Sequence, residues 1–271
     1  MSSSWHATGG FWHMSAPEMA PERRVVLVLG GTTEAVSLAD RLMTEWGDRF
    51  DIVTSLAGRT QTPGATPGEV RVGGFGGVAP MARYMEERGV VALLDATHPF
   101  AAQISENAQL ACAAASVPRI ALIRPPWERV PGDDWRMQPD LVAAAAAVPA
   151  IGRRAFLTVG RTDLAAFASC EETWFLVRMI DAPDTPLPLS ACHVISGRGP
   201  FAAATEQRLM EEHKIDVLVC KASGGEATRA KLVSARRLGI PVLMVERPPA
   251  PEGPTADNVG AVIDWFGAQV T

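Results

Sequence analysis

The chain has 271 residues, 47% of them hydrophobic and 20% charged, with a net charge of −5. That is enough apolar material for one large core or two modest ones, and the length favours two domains. The acid excess argues against a nucleic-acid partner, which must meet many phosphates with Lys and Arg. No apolar run reaches the roughly 20 residues of a membrane-spanning helix. Cys112, Cys170, Cys192 and Cys220 lie far apart without a Cys-x-x-Cys pair, which points to reduced cytoplasmic thiols and to no metal site.

In chain order, residues 1–24 (MSSSWHATGGFWHMSAPEMAPERR) lack both periodicity and signal-peptide order, so they read as a disordered leader, with Met14 or Met19 as alternative starts. From residue 25, short β-branched runs alternate with alanine-rich amphipathic stretches. Strands are expected at 25–29, 51–55, 69–72, 90–95 and 119–123, and helices at 34–45, 78–88 and 101–115. The segment RPPWERVPGDDW, with paired prolines and a Pro-Gly turn, breaks the rhythm. It divides the chain into a first domain at 25–127, a linker at 128–152 and a second domain at 153–271.

The second half begins as the first did: AFLTVGRTDLAAFA repeats the strand, glycine turn and helix order of VLVLGGTTEAVSLA. VALLDATHPFAAQISENAQLACAAASVPRIALIRPP likewise lies beside DVLVCKASGGEATRAKLVSARRLGIPVLMVERPP, each ending in Arg-Pro-Pro. The fold class is therefore α/β, with two Rossmann-like parallel-sheet halves facing one cleft, where ligands of open sheets bind beyond the strands' carboxyl ends. The tail, PPAPEGPTADNVGAVIDWFGAQV, is a proline-rich link and then a short amphipathic helix expected to dock on the fold.

The turns carry the chemistry. Gly30 and Gly31 allow a phosphate to approach the backbone before a helix N terminus, and Thr32 and Thr33 add hydroxyls; a plain strand-to-helix connection reads equally well. Ser55 and Arg59 follow the second strand with no carboxylate between Asp51 and Glu69, which favours a 2′-phosphate over a ribose hydroxyl; an exposed loop arginine is the simpler alternative. Asp95, Thr97 and His98 end a core strand, as a helix cap and a turn histidine or as groups that orient a cofactor or pass a proton. Arg178, Arg198, Lys221, Ser223, Gly224 and Gly225 end strands of the second half and suit a ligand with many carboxylates. Arg229 and Lys231, on the following helix, read as solvated surface charges.

In this order, LGGTTEA, SLAGRT, RVGGFGG, DATHPFAAQIS, RPPW, FLTVGR, ISGRGPF and CKASGGEATRAKL resemble the precorrin-6A reductase family of cobalamin biosynthesis, over about residues 25–248. The resemblance implies NADPH-dependent reduction of one carbon–carbon double bond of a polycarboxylate tetrapyrrole, precorrin-6A, to precorrin-6B. It implies that Gly30, Gly31, Thr32, Thr33 and Thr97 hold the cofactor, that Ser55 and Arg59 read its 2′-phosphate, and that Arg178, Arg198, Ser223, Gly224 and Gly225 meet the substrate. Asp95 then stabilises positive charge on the ring and His98 or Lys221 relays the proton, with water as an equal alternative. Competing readings are a cobalt-precorrin-6A reductase and a non-catalytic protein that binds NADP or a tetrapyrrole. A short-chain dehydrogenase is disfavoured, because Tyr84, the sole tyrosine, lacks the Tyr-x-x-x-Lys spacing. The oligomeric state, monomer or small homo-oligomer, is not legible.

Overall fold

A computed structural model describes residues 24–58 and 65–270. The expected leader and Arg59 lie outside the described residues.

The first half runs β1 (Arg24–Leu29), α1 (Thr33–Trp46), β2 (Phe50–Leu56), β3 (Glu69–Val72), α2 (Val78–Glu87), β4 (Val90–Asp95), α3 (Ala102–Ala115) and β5 (Arg119–Leu122). β1 is buried from Val25 to Leu29, because a parallel strand covered on both faces must be apolar on both. In α1 the residues Ala35, Leu38, Ala39 and Leu42 are buried, the i, i+3, i+4, i+7 stripe of a helix lying on a sheet.

The chain continues through β6 (Trp135–Gln138), α4 (Leu141–Ile151), β7 (Arg154–Leu157), a 3-10 helix (Arg161–Phe167), β8 (Trp174–Met179) and β9 (Cys192–Ser196). It ends with α5 (Ala203–Glu212), β10 (Val217–Lys221), α6 (Ala230–Leu238), β11 (Val242–Val245), β12 (Thr255–Ala256) and α7 (Val259–Val270). Two six-stranded sheets result, ordered β12-β5-β4-β1-β2-β3 and β6-β11-β10-β7-β8-β9. Every strand pairing within them is parallel. The two orders superimpose strand for strand, which is the expected pair of Rossmann-like halves.

The sixth strands are exchanged. After β5 the chain leaves the first sheet and adds β6 beside β11; after β11 it returns and adds β12 beside β5. Residues 135–151, expected within the linker, thus build the second sheet and its helix α4, whereas the tail completes the first. β6 (Trp-Arg-Met-Gln) is a short edge strand with no apolar run to announce it. The tail helix docks as expected: Val262, Ile263 and Phe266 enter the first core, and Phe266 meets Trp46 and Phe50 edge-on at 5.3 and 5.4 Å.

Each crossing starts with Arg-Pro-Pro. Proline has no N–H to donate, and the arginines do the tying: Arg124 Nε donates to Ser223 O (2.9 Å), and Arg247 donates from Nε to Ala222 O (3.1 Å) and from Nη1 to Arg124 O (3.0 Å). Among the described residues no helix is long and apolar enough to cross a membrane.

Candidate functional site

The two connectors and the turns after β1, β4, β7 and β10 meet between the halves. At the end of β1, a Cβ on Gly30 would fall 2.8 Å from Thr54 Cγ2, so only glycine lets the strand pass its neighbour. Gly31 has φ +108° and a Cβ there would meet nothing within 4 Å. Its turn therefore opens on free space at the N terminus of α1, where first-turn amides lack intrahelical partners. This geometry fits a dinucleotide's phosphates. Thr33 is exposed there. The Thr32 hydroxyl instead accepts from Ala35 N–H (3.1 Å) and donates to Ala96 O (2.7 Å), capping α1 and tying it to the β4 turn.

Asp95 is 3% exposed and turns inward. Its Oδ1 accepts from Thr97 N–H (3.2 Å) and Thr97 Oγ1–H (2.7 Å), while Oδ2 faces Arg119 Nη1 at 3.9 Å. That arrangement sets the turn holding Thr97 and His98 and keeps the carboxylate from the cleft. His98 Nδ1 accepts from Phe100 N–H at 3.2 Å, which places the ring proton of the neutral imidazole on Nε2. Burial, reinforced by the cations Arg124, Lys221, Lys231 and Arg247, pushes His98 down to about 3.

Lys221 reaches 2.6 Å to Asp163 Oδ2 from the end of β10, with Nζ 4.9 Å from the centre of the Phe100 ring in the first half. Arg124 Nη1 is 2.9 Å from Glu34 Oε2. Arg247 donates to carbonyls and leaves Nη2 without a partner among the described residues. Lys231 is not the solvated charge its helical position suggested: it is 6% exposed, with Nζ 5.4 Å from the Trp127 ring, and burial lowers its pKa. Arg229 does lie at the surface, paired with Glu226 at 3.0 Å. Sequence reasoning missed Arg124, Arg247, Lys231 and Trp127; the doubled Arg-Pro-Pro was the signal for the arginines.

The other expected substrate residues divide. Ser223 is buried and its carbonyl holds Arg124. A Cβ on Gly224 (φ +67°) would fall 2.2 Å from Pro125 O, and one on Gly225 (φ +82°) 3.2 Å from Glu34 Oε1. Both glycines thus let the β10 turn press against the first connector, and Trp127 Nε1 donates to Gly225 O at 2.7 Å. Arg178 is already paired: its side chain is 10% exposed and donates to both oxygens of Glu206, at 2.9 and 2.6 Å. Arg198 is exposed in the loop after β9. Ser55, at the end of β2, is buried and lies 3.3 Å from Arg71 Nη1.

Comparison with known proteins places the chain in a family. A precorrin-6A reductase of Rhodococcus erythropolis is 48% identical over 243 residues, covering 89% of this chain and 97% of the relative. One of Rhodobacter capsulatus is 42% identical over 241 residues, covering 89% and 95%. A solved structure described as CobK precorrin-6A reductase superimposes with a TM-score of 0.87 at 41% identity, covering 92% of this chain and 98% of its own. With the match running over residues 25–267, through both sheets and the tail that completes the first, the chain belongs to the precorrin-6x reductase CbiJ/CobK family.

Proposed function

We propose that this chain is an NADPH-dependent precorrin-6A reductase that converts one carbon–carbon double bond of the macrocycle to a single bond, giving precorrin-6B. The observation that carries the reading is the near full-length identity of 48% to a relative bearing that name. The gathering of Arg124, Lys221, Lys231 and Arg247 around His98 supports it, because charge-assisted hydrogen bonds suit a substrate with many carboxylates.

A reduced nicotinamide, when bound, supplies the hydride. Gly31, Thr33 and the first amides of α1 hold the phosphates; Gly30 and Thr32 shape that turn, and Ser55, with Arg59 four residues on in the sequence, frames the adenosine ribose. Thr97, set by Asp95, lines the nicotinamide side. His98 donates from Nε2 as a neutral group, and Lys221, steadied by Asp163, is the cation placed to hand on a proton. Ser223, Gly224 and Gly225 keep the second turn against the connector, Arg178 ties β8 to Glu206 of α5, and Arg198 meets the substrate's rim. Such chemistry depends on orientation more than on a strong nucleophile.

The test is the nicotinamide absorbance after mixing purified protein with cobalt-free precorrin-6A and either NADPH or NADH. Substrate-dependent loss of the NADPH signal, faster than for NADH, is the expected result. A folded protein that binds NADPH and oxidises none of it would overturn the catalytic reading.

A further inference from the structure

Each half stacks an arginine on the phenylalanine that precedes a helix, from β8 in the second half and, one strand further out, from β3 in the first. In the second, the Arg178 guanidinium lies 4.0 Å from the centre of Phe201, in the segment between β9 and α5, and its edge is filled by both oxygens of Glu206, the fourth residue of α5. In the first, the Arg71 guanidinium lies 3.9 Å from the centre of Phe75, in the corresponding segment between β3 and α2. The fourth residue of α2 is buried Met81, so the counterpart of Glu206 is a thioether.

The acceptors of Arg71 are neutral: Ser55 Oγ (3.3 Å), Gly74 O (3.0 Å) and, closer still, Gly73 O. Those contacts take three of the five N–H groups a guanidinium carries, leaving two without an acceptor among the described residues. Arg71 is in register with Ser55, at the carboxyl end of β2. A Cβ on Gly73, Gly74 or Gly77 would meet nothing within 4 Å, so the glycine loop opens beside the guanidinium.

We propose that Arg71, anchored by Ser55 and stacked on Phe75, binds the 2′-phosphate of the cofactor and sets the preference for NADPH over NADH. The assignment rests on the NADPH reading above and adds to it a residue of β3. The ribose of a dinucleotide lies beyond the end of the second strand, where an arginine accommodates the extra phosphate. A fork held flat by an aromatic ring and two carbonyls is organised for such an anion before it arrives.

The test uses binding. Adenosine 2′,5′-bisphosphate and adenosine 5′-monophosphate are titrated into the full chain and into Arg71→Gln, with circular dichroism confirming the fold. Arg71→Gln should weaken the bisphosphate by about 10- to 100-fold and leave the monophosphate within about twofold. Should the Gln variant fail to fold, Arg71→Lys replaces it, with a smaller loss again confined to the bisphosphate. Equal losses for both ligands, or discrimination that survives in the variant while Arg59→Ala abolishes it, would overturn the assignment alone. A wild-type chain that does not distinguish the two ligands would instead remove the NADPH reading and this assignment with it.

Discussion

The Nζ of Lys221 lies 2.6 Å from Oδ2 of Asp163, and the same oxygen accepts the Gly160 backbone N–H at 2.9 Å. In the repeat, Asp163 stands where the first half has Glu34, and Lys221 where it has Ala96. The glycine turn of the second half is thus closed by its own carboxylate, while that of the first is open at Gly31. Asp163→Asn should free Lys221 and lower kcat/KM by about 10- to 100-fold, as expected for loss of a charge-assisted hydrogen bond. Steady-state kinetics alongside thermal unfolding would check this, since a melting change large enough to explain the loss would contradict it.

His98 should stay a neutral imidazole throughout turnover. With its pKa pushed down to about 3, the pH profile of kcat/KM should show no ionisation traceable to His98 between about pH 5 and 8, and His98→Gln should leave the profile's shape unchanged. The unfolded histidine takes a proton near 6.5 and the folded one only near 3. Folding is therefore favoured above 6.5, and stability declines as pH falls from 6.5 towards 3, by at most about 1.4 kcal/mol per pH unit for this group. Urea titrations of wild type and His98→Gln across that window would show a shallower decline in the variant.

The Arg178–Glu206 pair should matter most when half of it is removed. Glu206 is 1% exposed and Arg178 is enclosed by Phe156 and Phe201 at 4.9 and 4.0 Å. Glu206→Ala leaves a buried guanidinium unpaired and should destabilise the fold by about 3–5 kcal/mol. Joint replacement, Arg178→Met with Glu206→Leu, should recover most of that loss in denaturant unfolding.

Thiol reactivity should be confined to one site. Cys112, Cys170 and Cys220 are buried and Cys192 is exposed, and burial pushes the Cys112 and Cys220 thiols up to about 12 and about 11. A chromogenic disulfide reagent at pH 8 should label Cys192 quickly and the others only after denaturation, because the thiolate is the reactive form.

Gly224→Ala should be worse than Gly31→Ala. Both positions have positive φ, but only at Gly224 would the Cβ strike a backbone atom, Pro125 O at 2.2 Å. The Gly31 change should cost about 1–2 kcal/mol of backbone strain, and the Gly224 change more, with looser packing of the connector visible in urea titrations and limited proteolysis.

Much of the architecture was legible because buried parallel strands must be apolar on both faces. The runs at 69–72 and 90–95 coincide with β3 and β4, and the other first-half elements differ by a residue or two at their ends. The glycine turns were legible too, since Gly31 is free of neighbours and in a conformation that side chains resist. The roles of charged residues were not. Lys231 and Arg178 look alike in sequence terms to exposed charges, yet one lies under Trp127 and the other against Glu206. Asp95 ends a strand as expected but turns towards Arg119.

By itself, then, the sequence determined the α/β class, the two-fold repeat and the turns that face the cleft, because hydrophobic periodicity and glycine geometry act over a few residues. Only the tertiary structure decided the exchange of β6 and β12 between sheets, the knot of Arg124, Arg247, Ser223 and Gly224 where the connectors cross, and which cations are already neutralised. Those depend on contacts between residues about a hundred positions apart, such as Arg124 with Ser223 and Arg247 with Arg124. Strand order and charge pairing are set by which surfaces meet in space, and no local pattern encodes that meeting.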